Sequence, residues 1–225
     1  MTVNPSDRSD ELARRIREAR AIPLIRTRQQ REALWAAEIL IRAGARVIEI
    51  ALTCPDAPET LRALRASGSD CLVGAASVGD EEDLRRALDA GADFAVSAHA
   101  LPGLIEYAAT RGRPFIPGAA TPTEIAAARR SGAGLIKLFP ADRLGGPAYL
   151  RDLLGPLPGL RLLPAGGISL DEAPAYLEAG AWGVVLGGAL VGGDLIRRRA
   201  AAALSDAFAG LRNALASFDT GEGEV

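Results

Sequence analysis

Lys137 is the one lysine in a chain of 225 residues with 26 basic side chains; the other 25 are arginine. It lies within Leu135-Ile136-Lys137-Leu138-Phe139-Pro140, a strand-like run with apolar neighbours on both sides. Burying an ammonium without a partner is costly, so a lysine in such a place either sheds its charge or pairs with an acid. A neutral amine held in an apolar interior is a nucleophile toward carbonyl carbon, which is what Schiff-base catalysis requires. The same lysine would have no catalytic part if it merely snorkelled from a strand end to water. Glu49 is the matching acid, embedded in Val47-Ile48-Glu49-Ile50-Ala51-Leu52. A carboxylate buried there needs a cation or a proton-transfer task. Glu49 and Lys137 also fit a structural ion pair, and the two readings differ in whether room for a substrate lies between them. Two glycine pairs, Gly166-Gly167 and Gly187-Gly188, supply bare backbone amides of the kind that wrap an anion. Most other acids, such as Asp80, Glu81, Glu82 and Asp83, belong to solvated helix faces.

The elements that must carry these groups recur along the chain. Ala43-Gly44-Ala45, Ala90-Gly91-Ala92, Gly132-Ala133-Gly134 and Ala179-Gly180-Ala181 each close a polar-and-alanine helical stretch. The apolar runs that follow them are Val47 to Leu52, Phe94 to Ser97, Leu135 to Phe139 and Gly183 to Leu186. Between these lie Ala21 to Ile25, Cys71 to Ala75, Pro114 to Pro117 and Leu160 to Pro164, making eight in all. Short apolar runs, each followed by a helix-period segment, predict a parallel sheet buried on both faces. Eight such units, without a Gly-x-Gly-x-x-Gly fingerprint, predict a closed (β/α)8 TIM barrel rather than an open doubly wound sheet. Helical residues from about Asp10 to Arg20 precede the first strand and are placed to plug the N-terminal mouth. The expectation is a single domain over residues 1–225, ordered from about 10 to 217, with frayed ends. In a barrel of this kind catalytic groups gather at the C-terminal ends of the strands, and the loops after strands seven and eight bind phosphate. Both glycine pairs fall in those two loops.

Composition removes several function classes. With 28 acidic residues against 26 basic ones the net charge is −2, which argues against an electrostatic nucleic-acid binder. Two cysteines, Cys54 and Cys71, and one histidine, His99, fall short of the four ligands of a closed structural zinc site. A disulfide framework is not expected either. The longest apolar stretch, Trp182 to Val191, is half a membrane span, and Met1 to Arg20 is charged with no apolar signal region. A cytoplasmic protein is the expectation, and no Gly-x-x-x-x-Gly-Lys-Ser/Thr motif points to a nucleoside triphosphate.

Taken in order, Ile48-Glu49-Ile50, Val73-Gly74-Ala75, Phe94-Ala95-Val96-Ser97, Ile116-Pro117-Gly118 with Thr121-Pro122-Thr123-Glu124, Ile136-Lys137-Leu138-Phe139-Pro140-Ala141 and Ala165-Gly166-Gly167-Ile168 form a recognisable series. It resembles the 2-keto-3-deoxy-6-phosphogluconate (KDPG) aldolases, a family that includes the 4-hydroxy-2-oxoglutarate (KHG) aldolase activity and a 6-phosphogalactonate branch. The likeness runs from about Ala21 to Leu190. It implies a metal-free class I aldolase that needs no cofactor, folds as a (β/α)8 barrel and assembles as a homotrimer. By that resemblance Lys137 is the Schiff-base lysine and Glu49 the general acid/base. The substrate it implies is a phosphorylated 2-keto acid split to pyruvate and glyceraldehyde 3-phosphate, and Pro117 and Phe139 match positions that shape the pocket. Thr53, Ser77, Ala165, Gly166, Gly167, Gly187 and Gly188 complete the expected substrate contacts.

Departures from the family pattern bear on the substrate. The phosphogluconate enzymes carry Arg after the Glu strand, where this chain reads Ala51-Leu52-Thr53. The galactonate branch instead has Asn-Ser-Pro there and an Arg at the end of strand one; here the matching residues are Thr53-Cys54-Pro55 and Arg26. Arg26 is therefore the expected bidentate carboxylate clamp. Gly-Ala-Gly-Thr becomes Gly74-Ala75-Ala76-Ser77, Ser-Pro-Gly becomes Ser97-Ala98-His99, Thr-Gly-Gly becomes Ala165-Gly166-Gly167, and a Ser after the last glycine pair becomes Ala189. His99 is expected to be an exposed loop residue. Three further readings stay open: a 6-phosphogalactonate aldolase, a phosphate-binding isomerase or epimerase barrel with Lys137 as charge partner, and a non-catalytic keto-acid or sugar-phosphate binder.

Overall fold

The rhythm of alanine and glycine has a backbone cause. Gly44, Gly91, Gly132 and Gly180 all adopt left-handed φ between 91° and 96°. Each closes its helix with the same pair of hydrogen bonds: at the first, Gly44 N–H donates to Ile41 and Ala45 N–H to Leu40, both at 2.9 Å. This crossed pair satisfies the last helical carbonyls and turns the chain toward the next strand, at a φ that costs glycine nothing.

A computed structural model of the protein describes residues 5–218. In chain order the elements are α1 (Pro5–Ala19), β1 (Ala21–Ile25), α2 (Gln30–Arg42), β2 (Val47–Ala51), α3 (Ala57–Ala66), β3 (Leu72–Ala76), α4 (Glu81–Asp89), β4 (Phe94–Val96) and α5 (Pro102–Thr110). The second half runs β5 (Phe115–Ile116), β6 (Gly118–Ala119), α6 (Pro122–Arg130), β7 (Ile136–Leu138), α7 (Gly146–Leu154), β8 (Leu162–Pro164), α8 (Ala173–Glu178), β9 (Val184–Leu186), α9 (Gly193–Arg197) and α10 (Ala201–Leu215). The strands pair in parallel, in the orders β5-β4-β3-β2-β1-β9 and β6-β7-β8. β5 and β6 are one strand position split at Pro117, which has no N–H to give the ladder. On the other side an Ala165–Val185 bridge, with Trp182 N–H donating to the Leu162 carbonyl at 2.9 Å, joins β8 to β9. The sheet thus curls into a (β/α)8 barrel. Among the described residues no helix is long and apolar enough to cross a membrane.

Two departures from expectation concern the ends. Helix α1 begins at Pro5 rather than near Asp10, since proline's fixed φ suits a first helical turn. The sequence predicts fraying outside about 10 to 217; residues 5–9 instead belong to α1, and residues 1–4 and 219–225 lie outside the described residues. After β9 the chain makes a short helix, α9, before the long α10, so Gly187-Gly188 does not lead straight into the last helix.

Side chains alternate across the barrel wall. Ile22, Val47, Phe94, Ile116, Leu135, Leu163 and Val185 fill the interior together with Leu12, Ala13 and Ile16 of α1. The outward-facing residues pack beneath the helices in the larger core. Helix α1 therefore plugs the N-terminal mouth, and Trp182 fastens it. Its indole N–H donates to the Ala13 carbonyl at 2.7 Å, and the Arg17 and Arg161 guanidinia lie 4.9 and 5.1 Å from the ring centroid. Arg161 also pairs with Asp10 at 2.7 Å. Trp182→Ala is expected to lower the unfolding free energy by about 3 kcal/mol in urea denaturation. A loss under about 1 kcal/mol would mean that the plug is held elsewhere.

Candidate active site

Strand alternation decides where the two charged side chains point. On β7, Ile136 and Leu138 belong to the outer core and Leu135 to the barrel interior, so Lys137 faces inward. On β2, Ile48 and Ile50 face the helices and Val47 the interior, so Glu49 faces inward as well. Lys137 Nζ lies 3.5 Å from Glu49 Oε2. Lys137 is 5% exposed and Glu49 wholly buried. Their positions are fixed by the ladder: Lys137 N–H donates to the Pro117 carbonyl at 2.9 Å, and Glu49 stands in register between Leu24 and Gly74.

Glu49 Oε1 has no hydrogen-bond partner among the described residues. A pair built only for structure would satisfy that oxygen, because an unpaired buried acceptor is costly.

Above the pair opens a cavity of about 570 Å³ at the C-terminal ends of the strands. Lys137, Arg26, Ser77, Phe139, Ala165, Gly166, Gly167, Gly187 and Gly188 all line it. Thr53 is exposed in the loop after β2 and Pro117 sits in the wall between β5 and β6; neither lines the cavity. Glu49 is not on the cavity wall either and meets the site through the Lys137 amine. His99 is exposed and off the cavity, its carbonyl accepting the Gly118 N–H at 3.2 Å. The sequence reading did not pick out Leu24, Ala98, Ile168, Ser169, Val185, Val191 or Gly193, which also contribute to the lining. Leu24 and Val185 lie in wholly apolar strands, where a lining residue looks like a core residue until a cavity is seen.

Two chemically different kinds of group line the cavity. Arg26, immediately after β1, donates from Nη2 to Ser77 Oγ at 3.1 Å and has no carboxylate in ion-pair range among the described residues. Its guanidinium is free to meet an anion through two parallel N–H groups. The glycine loops form other parts of the wall, with Gly187-Gly188 beside the end of β1 because β9 pairs with it. Gly166 and Gly167 have φ of +90° and +85°, and a Cβ on Gly166 would come within 2.7 Å of the Phe139 ring. The N–H groups of Gly166, Gly167, Gly187 and Gly188 donate to no backbone carbonyl among the described residues. These pairs lie in loops and not in the first turns of helices, since α8 starts only at Ala173 and α9 at Gly193. Ser169 is occupied with Glu172: its N–H and hydroxyl bind that carboxylate at 3.0 and 2.8 Å and hold its pKa below the usual range. Among the described residues no three His, Cys, Asp or Glu side chains converge as a metal site. Cys54 and Cys71 are free and buried, and burial pushes the Cys71 thiol up to about 12.

An amine beside a carboxylate, at a cavity also lined by a guanidinium and by bare backbone amides, is arranged to bind a keto acid and attack its ketone. The sequence model of the family described as "Aldolase: KDPG and KHG aldolase" matches residues 12–206. The chain belongs to the KDPG and KHG aldolase family. Family relatives include the 2-dehydro-3-deoxy-phosphogluconate aldolase of Treponema pallidum, 35% identical over 70% of this chain and 75% of that protein. A probable 2-dehydro-3-deoxy-6-phosphogalactonate aldolase of Rhizobium meliloti is 35% identical over 82% and 89%. Among solved structures, the KDPG aldolase of Legionella pneumophila, captured with pyruvate as a covalent carbinolamine, superposes with a TM-score of 0.83. It is 27% identical, over 88% of this chain and 97% of that one. Thr53 stays outside the cavity, while Arg26 brings a guanidinium to it from the end of β1.

Proposed function

We propose that this member of the KDPG and KHG aldolase family is a class I aldolase using Lys137 as its Schiff-base lysine and Glu49 as its general acid/base. The observation that carries the reading is the inward-facing Lys137 amine, 3.5 Å from a buried carboxylate with one free oxygen, at the floor of a substrate-sized cavity. The substrate is 2-keto-3-deoxy-6-phosphogluconate, and 4-hydroxy-2-oxoglutarate is a second one. In this reading the protein works as a single (β/α)8 domain, without metal or cofactor, in the cytoplasm as a homotrimer; family resemblance supports the trimer.

The chemistry follows from the placement of the groups. The Lys137 ammonium passes its proton to Glu49 and the neutral amine adds to the C2 ketone; Glu49 then gives the proton to the carbinolamine hydroxyl, which leaves as water to give a protonated imine. Glu49, reaching the substrate through a water, removes the C4 hydroxyl proton. The C3–C4 bond then breaks, its electron pair passes into the iminium to form an enamine, and the aldehyde leaves. Glu49 returns that proton to C3 of the enamine, water then adds to the resulting iminium, and Glu49 takes up the proton released as pyruvate and the lysine are freed. Arg26 holds the C1 carboxylate, so the ketone carbon stands over Nζ. Phe139 walls the pocket, while Gly166, Gly167, Gly187 and Gly188 present backbone amides to the phosphate. Ala165 adds only apolar surface.

A second reading has a specific observation in its favour. Arg26 at the end of β1, with Thr53 off the cavity, fits the 6-phosphogalactonate branch, whose substrate is the C4 epimer. Pyruvate release from the two epimers, followed with lactate dehydrogenase and NADH, tests both. Turnover of the gluconate epimer is expected. A higher kcat/KM for the galactonate epimer would move the assignment to the second reading. If neither epimer is cleaved although pyruvate still forms an adduct, the protein is a keto-acid binder.

A further inference from the structure

On the face of the barrel away from the active site lies a second hollow, of about 300 Å³, where the chain enters β1 and β2 beside the end of α2 and the last turns of α10. Arg20, Arg46 and Arg212 line it together with Asn213 and the buried Phe208. No residue lines both this hollow and the catalytic cavity. The one acid on its wall, Glu18, is engaged by Arg14 of the same helix.

Few counter-charges reach these guanidinia among the described residues. Arg20 Nη2 donates to the Phe218 carbonyl at 2.6 Å and Arg212 Nη1 to the Ala43 carbonyl at 3.0 Å. A carbonyl orients a guanidinium but leaves its net charge and most of its N–H groups in place. Arg46 has Asp70 at 3.9 Å, an exposed carboxylate that also serves Arg15 at 3.3 Å, and pairs of that kind in water contribute little. The backbone is fitted to the cluster. Arg20 directly follows α1 with a φ of +60°, a left-handed conformation that this chain elsewhere gives to glycines such as Gly44. At Gly44 itself a Cβ would collide with the Arg212 guanidinium, so the bare backbone lets Arg212 lie across the end of α2. Like charges gathered in a concave place repel one another, and an anion received between them relieves that repulsion.

We propose that this hollow is a second anion site, for a small phosphate-bearing metabolite that carries two or more negative charges. Guanidinium N–H groups meet phosphate oxygens in pairs, and cations from α10 and from both strand entries converge here on one ligand. Phe208, with Ala19, Ala21 and Ala216, offers apolar surface to its carbon skeleton. The site stands apart from the aldolase reading and does not depend on it.

Pyrophosphate is the probe, titrated calorimetrically at constant ionic strength into the full chain and into Arg46→Ala/Arg212→Ala. Arg20 is left in place because its side chain ties down Phe218. The unaltered protein is expected to show a binding event that the double variant weakens about 30-fold, as for two lost charge-assisted contacts. Arg130→Ala/Arg151→Ala, which removes the same charge from exposed positions on α6 and α7, should leave that event within about twofold. A melt without pyrophosphate shows that both variants are folded. Pyrophosphate can also enter the catalytic cavity, so its inhibition of pyruvate release is followed in parallel. The inhibition constant and kcat should be the same in Arg46→Ala/Arg212→Ala as in the unaltered protein. Binding that survives intact in that variant, or no binding beyond the event that inhibits, would overturn the proposal. Equal weakening by Arg130→Ala/Arg151→Ala would reduce the hollow to diffuse charge attraction and overturn it as well. If the chain releases no pyruvate at all, the aldolase reading fails alone, and the calorimetric comparison of the two double variants still decides.

Discussion

Lys137→Arg is expected to abolish pyruvate release, to below about 10⁻⁴ of the wild-type rate, while the folded protein persists. This substitution separates two roles that Lys137→Ala would merge. Arginine keeps a positive charge near Glu49 and so preserves a charge partner, but its guanidinium stays protonated and cannot attack a ketone. No other lysine exists in the chain to stand in. Retention of more than about a tenth of the activity would show that Lys137 acts by charge alone, as the isomerase or epimerase alternative supposes. The check is steady-state pyruvate release, beside a circular-dichroism melt to show folding.

Glu49→Gln has the second largest expected effect. Glutamine fills nearly the same volume within β2 and can still meet Lys137 Nζ through its amide oxygen, so the barrel wall is kept. What it loses is the ability to accept a proton. A fall in kcat of about 10²- to 10⁴-fold is expected, the usual range for removing a positioned acid/base group. KM should move far less, because Glu49 is not on the cavity wall and is not asked to hold the substrate. An equal loss in KM with kcat preserved would make Glu49 a binding or structural group. Steady-state rates over a range of substrate concentrations distinguish the two.

Glu49 and Lys137 were legible because charge inside an apolar strand is costly, and a run of buried residues advertises any exception. Their direction was not legible, since strands buried on both faces carry no polar alternation; it took the split between inner and outer packing clusters to fix it. The barrel was legible from its eight apolar runs and from the glycines that must adopt positive φ at helix ends. That the fifth strand position resumes beyond Pro117, at Gly118–Ala119, depends on a ladder whose register the sequence does not print. Arg26 and Thr53 show the same limit at the site. Both follow strands and both carry donors, yet one side chain enters the cavity and the other stays in solvent, because the path of each loop is set by packing far along the chain. The apolar lining, such as Ile168 and Val191, could not be told from core.

The most direct test of the central claim is mass spectrometry of the protein after incubation with pyruvate and borohydride. Reduction of an imine between pyruvate and one lysine leaves a single stable adduct. One such adduct is expected on the peptide containing Lys137, and none in Lys137→Arg. Unmodified protein at saturating pyruvate, or an adduct at the chain's N-terminal amine instead, would contradict it.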